Sequence, residues 1–220
     1  MIRVTHNMIF GSLNSGIQRN SMDLFETQEK ISTGKDVNRP SDDPAAMSKI
    51  MGYNHVISSL EQFAENISYA KAELSYAETA LSGTTDSLIR LKELAVTMAD
   101  SIDSPELRAD VSFEVTRIIE GITALANTNV SERYIFAGFL TDTTPFDTSG
   151  AYFGDSGVSA VEISPGATFA YSLTGERVFS GVGIAGGVDI FEIANDFNTA
   201  LLADDTAGIQ TAITELDAAI

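Results

Sequence analysis

Residues 53–102 read YNHVISSLEQFAENISYAKAELSYAETALSGTTDSLIRLKELAVTMADSI, with hydrophobic side chains seven residues apart. One track consists of Tyr53, Leu60, Ile67, Leu74, Leu81, Leu88, Ala95 and Ile102, and a second track, three residues later, of Val56, Phe63, Ala70, Ala77, Thr84, Leu91 and Met98. Thr84 is the only polar member of the two tracks. A heptad repeat sustained this far predicts a coiled-coil helix. At about 1.5 Å per residue, a helix from residue 44 to 102 would be roughly 90 Å long.

The stretch before this helix predicts another amphipathic helix with a thinner hydrophobic stripe. Between residues 7 and 33 the apolar positions are Phe10, Leu13, Ile17, Leu24 and Ile31. The other positions are mostly polar and cannot close a core, so this stripe requires a partner. Gly34 is typical of a helix end. Residues 1–43 are therefore predicted to form an N-terminal assembly helix and turn.

The turn itself has a recognisable chemistry in the sequence KDVNRPSDDP, residues 35–44. Pro40 disfavours helical backbone at the residue before it. We expect Asp42 and Asp43 to cap the next helix through its free N–H groups, and Pro44 to take the first helical position.

The sequence after residue 102 predicts a helical hairpin followed by a β-rich segment. Ser104, Pro105 and Glu106 restart a helix that should run antiparallel to the long one and end near Asn129, so residues 44–132 form a coiled-coil helical rod. Strand-like runs such as AYFG, AVEI, TFAYSL and RVFSG then predict β structure over 133–187, and helical spacing returns at 189–203 and 206–220. The predicted fold class is mainly α, with residues 133–220 as a β-rich outer domain with following helices. The last helical pattern has no cap, and we expect the chain to be truncated there.

Composition excludes several classes of function. The chain has 31 acidic and 13 basic side chains, a formal net charge of -18, and no Cys. Nucleic-acid binding needs a basic patch that this balance does not supply. Thiol catalysis and cysteine-ligated metal sites are excluded too, and no apolar run is long enough to predict a membrane span.

Three short patterns look like enzyme or ligand sites, and each has a structural interpretation. Gly181, Gly183 and Gly186 match a dinucleotide-binding spacing but lack the strands that must follow, so we expect a turn. The sequence GDSG at 154–157 resembles a nucleophile loop, yet the only histidines lie far away at positions 6 and 55. Calcium binding by Asp142, Asp147 and Asp155 remains a weaker alternative to a solvated acidic face. No catalytic, metal or cofactor residue is predicted.

Two N-terminal stretches, RVTHNMIFGSL and QEKISTGKDVNRPSDDPAAM, resemble the opening of bacterial flagellin-family proteins. The form of residues 38–44 is more similar to the hook–filament junction members of that family than to filament flagellin. Further on, SLIRLKELAVTMAD and ERYIFAGF are similar to the family's rod and to its entry into the β-domain. Family members end in a long helix that returns along the rod, and the absence of such a helix here strengthens the expectation of truncation.

The resemblance implies a structural subunit of the flagellum and not an enzyme. It would join hook to filament, be secreted by flagellar type III export, and be needed for motility. Its partners would be copies of itself, a neighbouring hook-associated protein, flagellin, and an export chaperone bound through the family's C-terminal part. Alternatives are filament flagellin, a free-standing coiled-coil binding module and, in a third class, an enzyme of the β-domain.

Thirteen residues are candidates for the assembly interface on this interpretation. They are Phe10, Leu13, Ile17, Leu24, Ile31, Gly34, Arg39, Pro40, Asp42, Asp43, Arg90, Glu93 and Leu94. Arg90, Glu93 and Leu94 fall between heptad positions, so we expect a flank that is either solvated or packed against a neighbouring subunit. Glu114 of the following helix is expected near this flank.

Overall fold

The computed structural model describes residues 6–99 and 105–220 and shows a mainly α-helical chain with two short antiparallel hairpins. The elements are α1 (His6–Thr33), α2 (Pro44–Ala99), α3 (Pro105–Ala126), β1 (Asn129–Val130), β2 (Arg133–Tyr134), β3 (Ala160–Ser164), β4 (Ala167–Ala170), α4 (Gly175–Phe179), α5 (Ile190–Ala203) and α6 (Thr206–Ala219). The predicted fold class is confirmed. Ile102 and Ser104, the last heptad position and the predicted cap, lie outside the described residues. Among the described helices, none is both long and apolar enough to cross a membrane.

The chain divides into two compact units, Met1–Glu61 and Gln62–Ile220. This division lies inside α2 and differs from the predicted boundaries at residues 43 and 132. The reason is visible in the second unit, where buried residues of α2, α3, α5 and α6 form one hydrophobic core. The helices after the β-rich segment therefore share a core with the predicted rod.

In the second unit, α2 and α3 pack against each other in antiparallel directions. Gly83 of α2 faces Leu125 near the end of α3, whereas Arg90 meets Glu114 nearer its start. A Cβ at position 83 would lie 3.1 Å from Leu125 Cδ1, so glycine allows this close approach. Thr84 is buried, and its hydroxyl donates to the Ala80 carbonyl at 3.0 Å. The polar heptad position is thus satisfied inside its own helix.

Helices α5 and α6 form a hairpin that closes the core. Asp189 caps α5 by accepting from the N–H groups of residues 191 and 192, and Asp205 caps α6 by accepting from that of residue 207. Asp204 between them adopts the left-handed conformation, with φ 56°, and pairs with Arg108 of α3 at 2.8 Å. Lys92 of α2 pairs with Asp217 of α6. The predicted helices at 189–203 and 206–220 are confirmed to within a residue.

The β-rich segment is less regular than predicted. The run AVEI lies in β3, and part of TFAYSL lies in β4, but AYFG contributes only an isolated bridge from Tyr152 to Phe146. The strand prediction for RVFSG is wrong, because residues 177–179 belong to α4. Phe179 is fully buried there, with its ring centroid 5.2 Å from that of Phe136. Aromatic packing overrides a local composition that favours strand.

The short patterns that resemble ligand sites form turns and loop clasps. Gly181, Gly183 and Gly186 all have positive φ, between 64° and 77°, which suits glycine. Asp155 accepts from the N–H groups of residues 139 and 157, and the Asp147 carboxylate accepts from Ser149 and Ala151. The Ser149 hydroxyl is the largest cause of the lowered pKa of Asp147. Within residues 6–99 and 105–220, no three side chains of metal-ligating type come together.

One heptad track allows a matched test of this core. Leu88 is 2% exposed and Leu60 is 58% exposed, although both occupy the same track of α2. We expect Leu88→Ala to lower the free energy of unfolding by about 2–5 kcal/mol, because it leaves a cavity. Leu60→Ala should change it by less than about 0.5 kcal/mol. Urea denaturation followed by circular dichroism measures both, and equal effects would contradict the assigned burial.

Candidate assembly surface

The hydrophobic stripe of α1 is exposed along the helix. We call Phe10, Leu13, Ile17, Leu24 and Ile31 the α1 stripe, and their side chains are between 60% and 77% exposed. A helix gains most of its stability in water from burying such a stripe. The α1 stripe is therefore a surface suited to a helical partner.

The heptad pattern of α2 is exposed in its first part and buried in its second. In the first unit, Tyr53, Val56 and Leu60, which we call the α2 stripe, are 53–68% exposed. In the second unit, the same repeat is buried at both Ala70 and Met98. One sequence pattern thus closes a core in one part of the helix and remains open to partners in another.

The loop between α1 and α2, residues 34–43, starts at a glycine with a required conformation. Gly34 has φ 67°, and its N–H donates to the Lys30 carbonyl at 2.9 Å, which ends α1. Pro40 then occupies the second position of a turn closed by the Asp42 N–H donating to the Arg39 carbonyl at 3.0 Å. Its fixed φ suits that position.

The two aspartates of the loop do different work, which corrects the prediction that both cap α2. Asp43 Oδ1 accepts from the N–H groups of Ala45 and Ala46, both at 2.9 Å, and so caps the helix. Asp42 Oδ2 accepts instead from the N–H groups of Asn38 and Arg39, at 3.1 and 2.8 Å. Because these donors favour the ionised form, that of Arg39 most of all, the pKa of Asp42 lies below its usual range. A carboxylate four residues after Asn38 closes the turn before it can reach the helix.

Side-chain charges join this loop to α1. Nη2 of Arg39 donates to both carboxylate oxygens of Glu29, at 3.1 and 3.2 Å. Lys30 pairs with Glu26 and with Asp36, each at 3.2 Å, and these bonds raise the pKa of Lys30, Glu26 contributing most. The sequence analysis did not identify Glu29 as part of the site. Its partner is ten residues away across a turn, and no helical spacing predicts that contact.

The flank around Arg90 is a fixed network of charges. The Arg90 guanidinium donates to Glu114 Oε1 from Nε and Nη2, at 2.9 and 2.7 Å, and from Nη1 to Glu93 Oε2 at 3.1 Å. Both carboxylates raise the pKa of Arg90, Glu114 more than Glu93. Ile89 and Val96 are exposed nearby on α2. The arrangement presents oriented charges beside apolar side chains, a composition suited to protein contact.

Leu94 does not belong to this surface, which corrects its selection as an interface residue. Its side chain is 7% exposed and lies in the core of the second unit. The reason is that several helices surround this part of α2, so the buried face is wider than the two heptad tracks.

Comparison with known proteins gives one family and one fold. Residues 4–141 match the bacterial flagellin N-terminal helical region. The chain is 29% identical to flagellar hook-associated protein 3 of Salmonella typhimurium, over 82% of this chain and 58% of that protein. It is 34% identical to the flagellar filament 41 kDa core protein of Borreliella burgdorferi, over 56% of this chain and 37% of that protein. A putative flagellar hook-associated protein from Vibrio parahaemolyticus shares the fold, with a TM-score of 0.73, 24% identity, and coverage of 82% of this chain and 83% of that chain.

The separate roles of the two aspartates can be measured by amide hydrogen exchange. We expect Asp43→Ala to speed exchange at Ala45 and Ala46 by about five-fold, since a lost helix cap costs roughly 1 kcal/mol. Asp42→Ala should instead speed exchange at residues 38 and 39 and leave the start of α2 protected. If both variants affect the same amides, the division of roles is wrong.

Proposed function

The chain belongs to the bacterial flagellin family, and on that premise we propose that it is a structural subunit of the flagellum that joins the hook to the filament. It spans 58% of the length of the Salmonella hook-associated protein 3 that it matches. The proposal concerns assembly, and it assigns the chain no enzymatic activity.

The observation that carries the proposal is the pair of uncovered hydrophobic stripes in the first unit. The α1 stripe and the α2 stripe together expose eight apolar side chains by more than half. Exposed apolar surfaces of this kind mark sites of protein contact. Their heptad spacing suits coiled-coil packing against other helices, in copies of this chain and in neighbouring subunits.

The junction role is favoured over filament flagellin by two observations. Similarity to the junction protein of Salmonella extends over 82% of this chain, whereas similarity to the Borreliella filament protein extends over 56%. Asn38 and Arg39 also stand in the turn whose form resembles the junction members of the family. A free-standing coiled-coil module, the remaining alternative, predicts neither feature.

The proposal includes the surroundings of the subunit. One face of its ring would contact a second hook-associated protein, and the other would contact flagellin. The chain would leave the cell unfolded by flagellar type III export, assisted by an export chaperone, and would be required for motility. The absence of Cys suits a protein that passes between reducing and oxidising compartments.

Deletion of the gene tests the junction role directly. We expect the deletion strain to make hooks without attached filaments and to release flagellin into the medium, because filament subunits would lack their base. Electron microscopy of the cells and immunoblotting of the medium measure both results, and the restored gene is the control. Filaments on the hooks of the deletion strain would refute the junction role.

The flank gives a narrower prediction. The double variant Arg90→Ala with Glu93→Ala should lose less than about 1 kcal/mol of stability, since exposed ion pairs are weak. We expect it to fold and be exported, yet to form fewer or more fragile filaments, because the flank packs against a neighbouring subunit.

The control for the flank is the exposed pair of Arg117 and Glu120 on α3, which has the same spacing at 3.6 Å. The double variant Arg117→Ala with Glu120→Ala should assemble normally. If the flank variant is exported and supports normal filaments and motility, the flank is a solvated surface.

A further inference from the structure

The loop between α1 and α2 is closed by its own hydrogen bonds. The Asn38 amide Nδ2 donates to the Lys35 carbonyl at 3.3 Å, and Asp42 collects the N–H groups of residues 38 and 39. Asp43 then bonds directly to the first turn of α2, and the Met47 N–H donates to the Asp43 carbonyl at 2.9 Å. The loop from residue 38 onward is therefore continuous in its bonding with the start of α2.

The attachment of this loop to α1 is of a different kind. Beyond Lys35, whose N–H donates to the Thr33 hydroxyl, the described contacts between loop and α1 are two ion pairs, Arg39 with Glu29 and Lys30 with Asp36. Gly34 between them has no Cβ to restrict its backbone. The direction of α1 relative to the loop thus depends on side-chain charges more than on backbone bonding.

We infer that the pair of Glu29 and Arg39 is a positioning joint, which sets the direction in which α1 leaves the loop and so presents the α1 stripe for assembly. This inference rests on the proposed function and deepens it. Glu29 and Arg39 are positioning residues, because they act through the stripe and not by contacting a partner themselves.

The burial and charge of the pair suit a joint that can be reset. The Arg39 side chain is 61% exposed and that of Glu29 30%, so water and salt weaken their attraction. Nη2 of Arg39 bonds both oxygens of one carboxylate, which fixes the relative orientation of the two side chains. A weak but directional tie holds α1 in one direction and yields when the stripe packs against a neighbouring helix. A junction subunit that meets different neighbours on its two faces requires such adjustment.

A charge-swap experiment tests the joint in cells. The variants are Glu29→Arg, Arg39→Glu and the two together. Each single variant places like charges side by side, so we expect weak filament attachment and smaller swimming zones in soft agar. The double variant restores opposite charges, and we expect it to recover most of the wild-type zone. Glu120→Arg, which reverses one charge of the exposed Arg117 pair on α3, is the matched control and should swim normally.

A second measurement on the purified full chain isolates the joint from assembly. Because the chain has no Cys, spin labels can be attached at cysteines introduced at the exposed positions Asn20 on α1 and Asn54 on α2. Electron–electron double resonance then gives the distribution of distances between the labels. Each single variant should deplete the wild-type distance by up to about five-fold, the ceiling for an exposed ion pair, and the double variant should restore it. Salt at about 1 M, where the screening length is roughly 3 Å, should act like the single variants.

The outcomes separate the joint from the proposed function. Recovery by the double variant in both measurements supports the joint. Unchanged single variants in the distance measurement, or a double variant that is not restored, overturn it. A deletion strain that still builds filaments would refute the junction role, whereas normal swimming by the single variants in a strain that needs the protein would refute only the joint.

Discussion

The heptad stripe of α2 must be covered, and most of this structure depends on how that is done. In the second unit, α3, α5 and α6 bury the stripe and leave a single core around Leu88 and Leu91. In the first unit the stripe continues through Tyr53 and Leu60 with its side chains exposed. Because uncovered apolar surface is costly in water, the same repeat that stabilises the fold in one part provides the drive for assembly in another.

Charge opposes this drive and gives it selectivity. A net charge of -18 makes copies of the chain repel one another, so association requires apolar stripes that fit each other closely. The first unit contains ion pairs at the loop, and the second contains the Arg90 network. These pairs contribute little stability, but they orient helices and surfaces, which matters when a subunit must meet its neighbours in a fixed direction.

Many of the acidic side chains act as local structural ligands for backbone N–H groups. Asp43, Asp189 and Asp205 cap helices, whereas Asp42 and Asp155 close loops. The patterns that resembled a nucleophile loop and a calcium site have this explanation in the fold. A buried or constrained N–H needs an acceptor, and a short carboxylate side chain can supply two or three bonds at once.

The sequence by itself determined the periodic elements: α1, α2, α5 and α6 follow from apolar spacing and from end signals such as Gly34 and Asp189, which act within a few residues. Only the tertiary structure decided that Leu94 is buried, that residues 177–179 are helical, that α5 and α6 join the core of α2 and α3, and that Arg39 meets Glu29. Local patterns record the period and ends of a helix, because those depend on neighbouring residues. Contacts between elements depend on how several helices share one volume, and no local spacing in a single chain contains that information.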